Sequence, residues 1–429
     1  MEQNRKRHIL VISQYFYPEQ FRINDICEEW NKRGYKVTVV TGIPNYPEGK
    51  FYEGYGFREK RREIWKGIDI IRLPLIPRGH NSMGLVLNYF SFPVSEFFWK
   101  CKTKIKPDYI FMFETSPMTQ CMLGVWLKKK LQKKGLDIPL FAYIQDLWPE
   151  NVEIVTGIHS PMVIKPIEKM VKYIYKNCDA IFATSPSFVG EIVKRGADKE
   201  KVHYWPQYAE EFYRPRERRP NNALPANDTA LKIIFTGNIG YAQGLDILPK
   251  TAEILKGKGC NAHFYIVGDG RYREKFIEEI REREVEDMFF LIGRKPATEI
   301  PDLLTCADVA FLSFMDTELF AKTIPAKLQS YMACGMPILA SARGESVGII
   351  DEAECGAHSD IGDSEGLAAK IIKLSGMESN DLENMGKNAR KYYLSHFEKK
   401  ILMDEMDGYF ERMCSKEKFM ESLTEHVGV

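Results

Sequence analysis

"LKIIFTGNIGYAQG" (231–244) begins with an apolar, β-branched run that lacks polar alternation, then turns through three glycines into an amphipathic stretch, 244–258. A run apolar on both faces suits a parallel strand covered on both sides, and a strand leading through glycine into a helix is half of a βαβ unit. The same order recurs downstream as "AHFYIVG" (262–268), helix 271–284, "MFFLIG" (288–293), helix 299–306, "ADVAFLS" (307–313), helix 325–334 and "MPILAS" (336–341). Upstream, "HILVIS" (8–13), "KVTVVT" (36–41), "IDIIRLP" (68–74), "DYIFMF" (108–113), "PLFAYI" (139–144) and "DAIFATS" (179–185) alternate with amphipathic segments such as 21–33, 117–134 and 161–177. The pattern predicts an α/β chain of two Rossmann-like, doubly wound domains facing a central cleft, with ligands at the carboxyl ends of the strands.

Length agrees with two domains, because 429 residues exceed one ordinary core. "RERRPNNALPAND" (216–228) is nearly free of apolar residues and reads as a linker. The expected division is 1–207, 208–395, and a helix and tail at 396–429 that packs back toward the first domain. With 44% hydrophobic and 28% charged residues the chain is globular rather than disordered. Its nine cysteines are scattered, without a C-x-x-C pair, as expected of reduced thiols in a cytoplasmic protein. No signal-like segment precedes "RHILVIS", and no apolar run approaches the roughly 20 residues needed to cross a bilayer.

The net charge of +1 hides an asymmetry: residues 1–207 carry 32 Lys and Arg against 22 Asp and Glu, the remainder 28 against 37. The first half therefore expects an anionic partner. No recognised nucleic-acid module is present, so nucleic acid is not the expected one.

Two strand ends of the second half are glycine-rich, "FTGNIGYAQG" (235–244) and "VGDGRY" (267–272). Glycine there lets backbone N–H groups approach a phosphate, which makes a nucleoside diphosphate the expected ligand. Neither loop is G-x-G-x-x-G or G-x-x-x-x-G-K-[ST], which argues against dinucleotide oxidoreductases and P-loop NTPases. In "TIPAKLQSYMACGMPILAS" (323–341), Pro325 suits the first helical position, leaving free N–H groups after Thr323 with Lys327 in reach. That combination is a second anion site, the alternative being a core helix whose lysine points to solvent.

Taken in order, "GNIGYAQGLDIL", "VGDGRY", "IGRKPATEIPDLLTCADVAFLS" and "AKLQSYMACGMPILAS" resemble the donor domain of family 4 retaining glycosyltransferases of the GT-B fold. "SQYFYPEQFRIND", "TGIPNYPEGKFYEGY", "LNYFSFPVSE", "ETSP" and "QDLWPE" resemble the subgroup that builds O-antigen, capsule and colanic acid, which includes N-acetyl-L-fucosamine transferases. The resemblance implies transfer of a sugar from a nucleoside diphosphate, expected to be a UDP-sugar and N-acetylated or deoxy, with retention and with neither cofactor nor catalytic metal. It makes residues 1–207 the acceptor side and 208–395 the donor side. This chain departs from the family pattern at Asn238 and Gln243, where Arg and Lys are usual, and at Lys322 and Ser330, where the E-x7-E pair would fall.

A departing diphosphate needs cations or N–H donors where charge develops. Lys327 and Arg294 are the expected clamp, supported by Arg271, Lys295 and Lys322. Gly237, Asn238, Gly240, Gln243, Gly268, Gly270, Thr323, Ile324, Pro325, Ala326 and Ser330 complete the expected donor site. On the acceptor side Asp146 ends a buried strand, placed for polar work on a sugar or acceptor hydroxyl. Glu114, Trp148, Glu150, Tyr15, Glu19, Arg22, Asp25 and Asn45 are expected acceptor contacts, and Ser116 a helix cap.

"MGLVLNYFSFPVSEFFWKCKTKIK" (83–106) sets aromatics beside a basic run, and "LKKKLQKKG" (127–135) adds five lysines. Such a surface suits anionic lipid and a polyprenyl-diphosphate-linked saccharide, placing the protein peripherally on the inner face of the plasma membrane. A core helix with a solvated lysine end is the alternative. Two other functions share the features: a nucleotide-sugar 2-epimerase, which needs paired acids and a His in the cleft, and a non-catalytic scaffold, which the missing carboxylates would permit. Oligomeric state is not legible in the sequence.

Overall fold

The computed structural model describes residues 5–79, 82–217, 224 and 229–426. Most of the linker expected at 216–228 therefore lies outside the described residues. The chain divides into two compact units, Met1–Trp205 with Gly408–Val429, and Pro206–Asp407.

The first unit is built on strands β1 (His8–Ile12), β2 (Lys36–Gly42), β3 (Arg62–Trp65), β4 (Ile68–Leu73), β5 (Tyr109–Glu114), β6 (Leu140–Ile144), β7 (Ala180–Ala183) and β8 (Val202–Tyr204). They lie in the order β3-β4-β2-β1-β5-β6-β7-β8, all parallel except β3, which runs antiparallel to β4. Neither β3 nor β8 is visible in the sequence pattern. The first is a polar edge strand of alternating exposure and the second has three residues, too few for periodicity to register.

Helices α1 (Arg22–Lys32), α2 (Ser82–Lys102), α3 (Met122–Gln132), α4 (Glu150–Thr156), α5 (Pro161–Asn177) and α6 (Pro186–Lys194) complete this unit. In α1 the buried residues are Ile23, Ile26, Cys27 and Trp30, the i, i+3, i+4, i+7 stripe of a helix laid on a sheet. Chain order reverses between β1 and β5, the switch point where ligands of open α/β sheets bind.

The second unit has β9 (Leu231–Thr236), β10 (Ala262–Val267), β11 (Phe289–Gly293), β12 (Val309–Ser313), β13 (Ile338–Ser341) and β14 (Gly356–Ser359) in the order β11-β10-β9-β12-β13-β14, all parallel. Successive residues of β9 enter opposite cores: Ile234 packs with Tyr265, Leu312 and Tyr331, while Ile233 and Phe235 pack with Leu248, Phe264 and Phe311. That period of two, apolar on both faces, is why the run shows no polar alternation.

Its helices are α7 (Ile247–Gly257), α8 (Arg273–Glu282), α9 (Ile300–Leu304), α10 (Glu318–Ala321), α11 (Ala326–Ala333), α12 (Glu345–Glu352), α13 (Ser364–Ser375), α14 (Ser379–His396) and α15 (Lys399–His426), the last passing into the first unit from Gly408 onward. Here the switch point lies between β9 and β12, so the loop after β9 and the stretch leading into α11 sit at it together.

Candidate active site

In the second unit the loops after β9 and β10 are locked together. Gly237 N–H donates to Val267 O (2.9 Å), Ile239 N–H to Asp269 O (2.9 Å), and Tyr272 N–H to Ile239 O (3.0 Å). Gly268 N–H is spent on Gly293 O and Gly270 N–H on its neighbour Asp269 Oδ1. The amides of Gly237, Gly268 and Gly270 are thus not free to hold phosphate, contrary to the reading of the sequence. At Gly268 the residue type serves close approach instead: with φ of +154°, a Cβ there would stand 1.8 Å from Gly237 O. Gly268→Ala is expected to destabilise the second unit by about 2–4 kcal/mol and to abolish nucleotide binding, read by denaturant unfolding and calorimetry.

Pro325 is the N-cap of α11 rather than its first residue, with Ala326 opening the helix. No described group accepts from the amides of Ala326 and Lys327, so two N–H donors are free at this helix start. Beside them Lys327 Nζ donates to Gln243 Oε1 (2.5 Å) and lies over the Phe235 ring, 4.1 Å from its centroid. Burial pushes the amine down to about 7. Gln243 is held in turn by its own carbonyl, which accepts from Ser313 Oγ at 2.6 Å.

Two expected donor contacts fail. Ile324 is buried in the core with Leu328, and the Ser330 hydroxyl donates to Ala326 O at 3.0 Å within its own helix. A core aliphatic side chain and a buried serine bonded within its own helix are packing positions. The Thr323 hydroxyl likewise donates to Leu319 O. Arg271, Arg294 and Lys295 are exposed, Asn238 is exposed beside Gly240, and Lys322 is half-buried. Arg294 follows the edge strand β11, two positions from β9 and so roughly 10 Å away across the sheet. A separate cavity of about 1070 Å³, lined by residues including Asp308, Pro337 and Arg390, opens at the amino ends of β12 and β13, the wrong end for a switch-point ligand.

In the first unit Glu114 ends β5 and Asp146 lies in the loop two residues past the end of the adjacent β6. Asp146 N–H donates to Glu114 Oε2 (3.2 Å), and Asp146 Oδ2 accepts from Ser116 N–H (2.7 Å). Glu114 is fully buried with Oε1 unpartnered, and burial together with the nearby Asp146 charge raises its carboxyl well above the usual range. Burial also raises Asp146, against the pull of the Ser116 hydrogen bonds and of the Arg78 charge. Arg78 is the residue that sequence reasoning missed: it sits in a loop without a motif, its guanidinium 5.5 Å over Tyr46, and its charge acts on Asp146, Tyr15 and Tyr89.

Ser116 is not a helix cap. Its hydroxyl accepts from Trp148 Nε1 (3.0 Å) and Asn151 Nδ2 (2.9 Å), tying the loop after β5 to the loop after β6.

Most of the other expected acceptor contacts turn out to build the loops. Glu19 is buried and its Oε1 accepts from the amides of Asn45 and Tyr46, both at 2.7 Å, while burial still lifts it to about 7. Asn45 donates to Ile43 O and accepts from Arg78 N–H, so both ends of its amide are engaged. Tyr15 is buried against Phe21, and Trp148 is buried on Ser116. Glu150 pairs with Arg195, and Arg22 and Asp25 are half-buried in the first turn of α1. Short polar side chains at strand ends find neighbouring loop amides before they find solvent.

Two doubly wound units, each with its polar loops at a switch point, are the architecture of the GT-B fold. The chain matches the pattern of the Glycosyltransferase Family 4 domain over residues 21–207 and that of Glycosyl transferases group 1 over 217–392. It belongs to the family 4 glycosyltransferases of GT-B fold. Among curated relatives it is 27% identical over 350 residues to WcaI of Escherichia coli K12, named as a colanic acid biosynthesis glycosyl transferase, covering 76% of this chain and 81% of that one. Among solved structures, sucrose-phosphate synthase from Thermosynechococcus elongatus superposes with a TM-score of 0.71 at 16% identity, covering 96% of this chain and 100% of that one. HepE of Anabaena in complex with UDP superposes at 0.65 and 13% identity, covering 95% and 100%.

Proposed function

We propose that this glycosyltransferase moves a sugar from a UDP-sugar to a lipid-linked saccharide, with retention at the anomeric carbon, in the assembly of a cell-surface polysaccharide. The observation that carries the reading is the amine of Lys327 beside two free helix amides at the switch point of the second unit. Cationic and N–H donors at that place suit a diphosphate leaving group. UDP in HepE and colanic acid in the name of WcaI support the choice of nucleotide and pathway class.

In the proposed reaction the acceptor hydroxyl attacks on the face from which the diphosphate departs. The bond from the anomeric carbon to the phosphate oxygen breaks, the bond to the acceptor oxygen forms, and the hydroxyl proton passes to the departing phosphate oxygen. Lys327 and the Ala326 and Lys327 amides offset the charge that develops there. Asp146 accepts a hydrogen bond from a sugar or acceptor hydroxyl and orients it. No step requires a metal ion. Calorimetry of UDP with the full chain in EDTA is expected to give micromolar binding; the absence of binding by UDP would overturn the donor assignment.

The membrane side of the reading rests on α2, whose faces are inverted. Phe90, Val94, Phe97 and Phe98 are exposed along one side, while the polar Asn88 and Glu96 are buried on the other with Leu85 and Phe92. Lys100 lies 4.3 Å over the Phe97 ring, setting positive charge beside the apolar stripe. Aromatics flanked by lysine suit an anionic bilayer surface.

The lysines at 127–135 contribute less than expected. Lys128 pairs with Asp179, Lys129 donates to Tyr173 Oη, and Lys130 caps the carbonyls at the end of α2, whose orphan C=O groups need donors. Among the described residues, no helix is long and apolar enough to span a bilayer. A Phe97→Ser, Phe98→Ser double variant is expected to bind phosphatidylglycerol-containing vesicles at least about tenfold more weakly in a sedimentation assay, about 1.4 kcal/mol, with the fold unchanged. Equal binding would remove α2 from the membrane contact.

A further inference from the structure

Arg78 is a cation of the first unit that the proposed reaction leaves unused. Its guanidinium lies over the Tyr46 ring, 5.5 Å from the centroid, and among the described residues it makes no hydrogen bond or ion pair. Stacking occupies the face of a guanidinium and leaves the N–H fork at its edge open to an anion. Arg72 is the contrast: it is fully buried and donates to Tyr17 O and to Glu63.

The carboxylates near Arg78 have taken other donors. Asp146 feels its charge but holds the Ser116 amide on Oδ2, and Glu19 holds the amides of Asn45 and Tyr46 on Oε1. A half-buried guanidinium left over in this way is placed for an anion that comes from outside the chain.

The position of Arg78 says which anion. Two residues before it, Ile76 N–H donates to Ser91 Oγ at 2.8 Å and Ile76 O accepts from Asn88 Nδ2 at 2.7 Å, so the segment is pinned to α2. That helix exposes Phe90, Val94, Phe97 and Phe98. Tyr89, which the Arg78 charge also reaches, meets the Trp148 ring at 5.8 Å, in the loop that carries Asp146. Arg78 therefore adjoins both Asp146 and the helix with the apolar stripe, and the three follow the order hydroxyl, phosphate, lipid.

We propose that Arg78 binds the phosphate through which the acceptor's saccharide is joined to its lipid, so that the acceptor is recognised at its phosphate as well as at the hydroxyl that reacts. This rests on the reading of the acceptor as a lipid-linked saccharide. The Arg78 fork takes two phosphate oxygens in parallel, a geometry that neither a lysine nor a neutral amide reproduces. A free phosphate and an anionic lipid headgroup offer the same chemistry, and the test separates them.

The test is calorimetry of geranyl diphosphate, a soluble isoprenoid diphosphate, with the full chain saturated with UDP, which keeps the probe off Lys327. The wild type should bind it, Arg78→Gln should bind about 10- to 100-fold more weakly, and Arg78→Lys should fall between the two. Inorganic pyrophosphate, which has no chain to meet α2, should bind more weakly than geranyl diphosphate. Phosphatidylglycerol vesicles should bind the wild type and Arg78→Gln alike, which also reports that the first unit of the variant is folded.

No binding of geranyl diphosphate by the wild type, or equal affinity in Arg78→Gln, would overturn the proposal; a residue that only tunes Asp146 gives the second result, because the probe carries no sugar hydroxyl. Pyrophosphate binding as tightly as geranyl diphosphate would overturn it in favour of a free phosphate, and loss of vesicle binding in Arg78→Gln in favour of a headgroup. UDP failing to bind would overturn the donor assignment alone, and the probe titrations then read Arg78 without it.

Discussion

Asp146→Asn, which weakens a charge-assisted hydrogen bond to the hydroxyl it orients, is expected to lower kcat by about 10- to 100-fold while leaving UDP affinity within about twofold. The substitution keeps size and the hydrogen bond from Ser116 N–H, and removes the charge. It acts on the first unit alone, whereas the proposed nucleotide contacts belong to the second, so binding and turnover should separate. The wild-type pH profile carries a matching signature. Burial raises the Asp146 carboxyl above the ordinary carboxylate range, so activity should climb with pH through a step placed higher than a solvent-exposed aspartate would give. The step should be absent in the Asn variant. Turnover near the wild-type level would remove Asp146 from the reaction and leave it a loop tether between Glu114 and Ser116.

Phe410→Ala is the largest expected stability change, about 3–5 kcal/mol in the unfolding of the first unit, measured by urea titration. Phe410 is fully buried. Its ring stacks on Tyr109 at 4.6 Å and meets Phe141 at 5.2 Å and Trp30 at 5.7 Å, and its carbonyl accepts from Tyr109 Oη. Removing it opens a cavity between β5, β6 and α1 that these rigid aromatics cannot close by small shifts. A loss below about 1 kcal/mol would mean that this end of α15 is dispensable to the first core.

Fold class was legible because it depends on local pattern. Strands buried on both faces must be apolar throughout, and helices laid on them must be amphipathic, so runs such as 231–236 and stripes such as Ile23, Ile26, Cys27 and Trp30 declare themselves. The edge elements β3, β8 and β14 did not, because an edge strand needs neither length nor a second apolar face. Phe410 is a similar case: its helical surroundings were readable from periodicity, but its partners lie about 300 positions away in sequence.

The site was legible only in outline, and the reason is competition for hydrogen bonds. Gly268 and Gly270 lie in the loops where a phosphate was expected, yet their amides are consumed by Gly293 O and Asp269 Oδ1. Glu19 and Asn45 read as acceptor contacts and prove to be each other's partners, because a buried carboxylate takes the nearest amides. Arg78 had no motif to mark it, and its nearness to Asp146 exists only once the loops after β4 and β6 are brought side by side.

The sequence by itself determined two doubly wound α/β units of the GT-B class and put glycine-rich loops and Lys327 at strand ends. Tertiary structure alone decided which of those groups are free to act. Periodicity is set by which face of an element is buried, a local property written into consecutive residues, whereas the partner of an amide or an amine is set by whatever distant loop comes within 3 Å of it. Lys327 carries both lessons: its place at the start of α11 follows from the chain, and its half-buried seat between Gln243 and Phe235 follows from the fold.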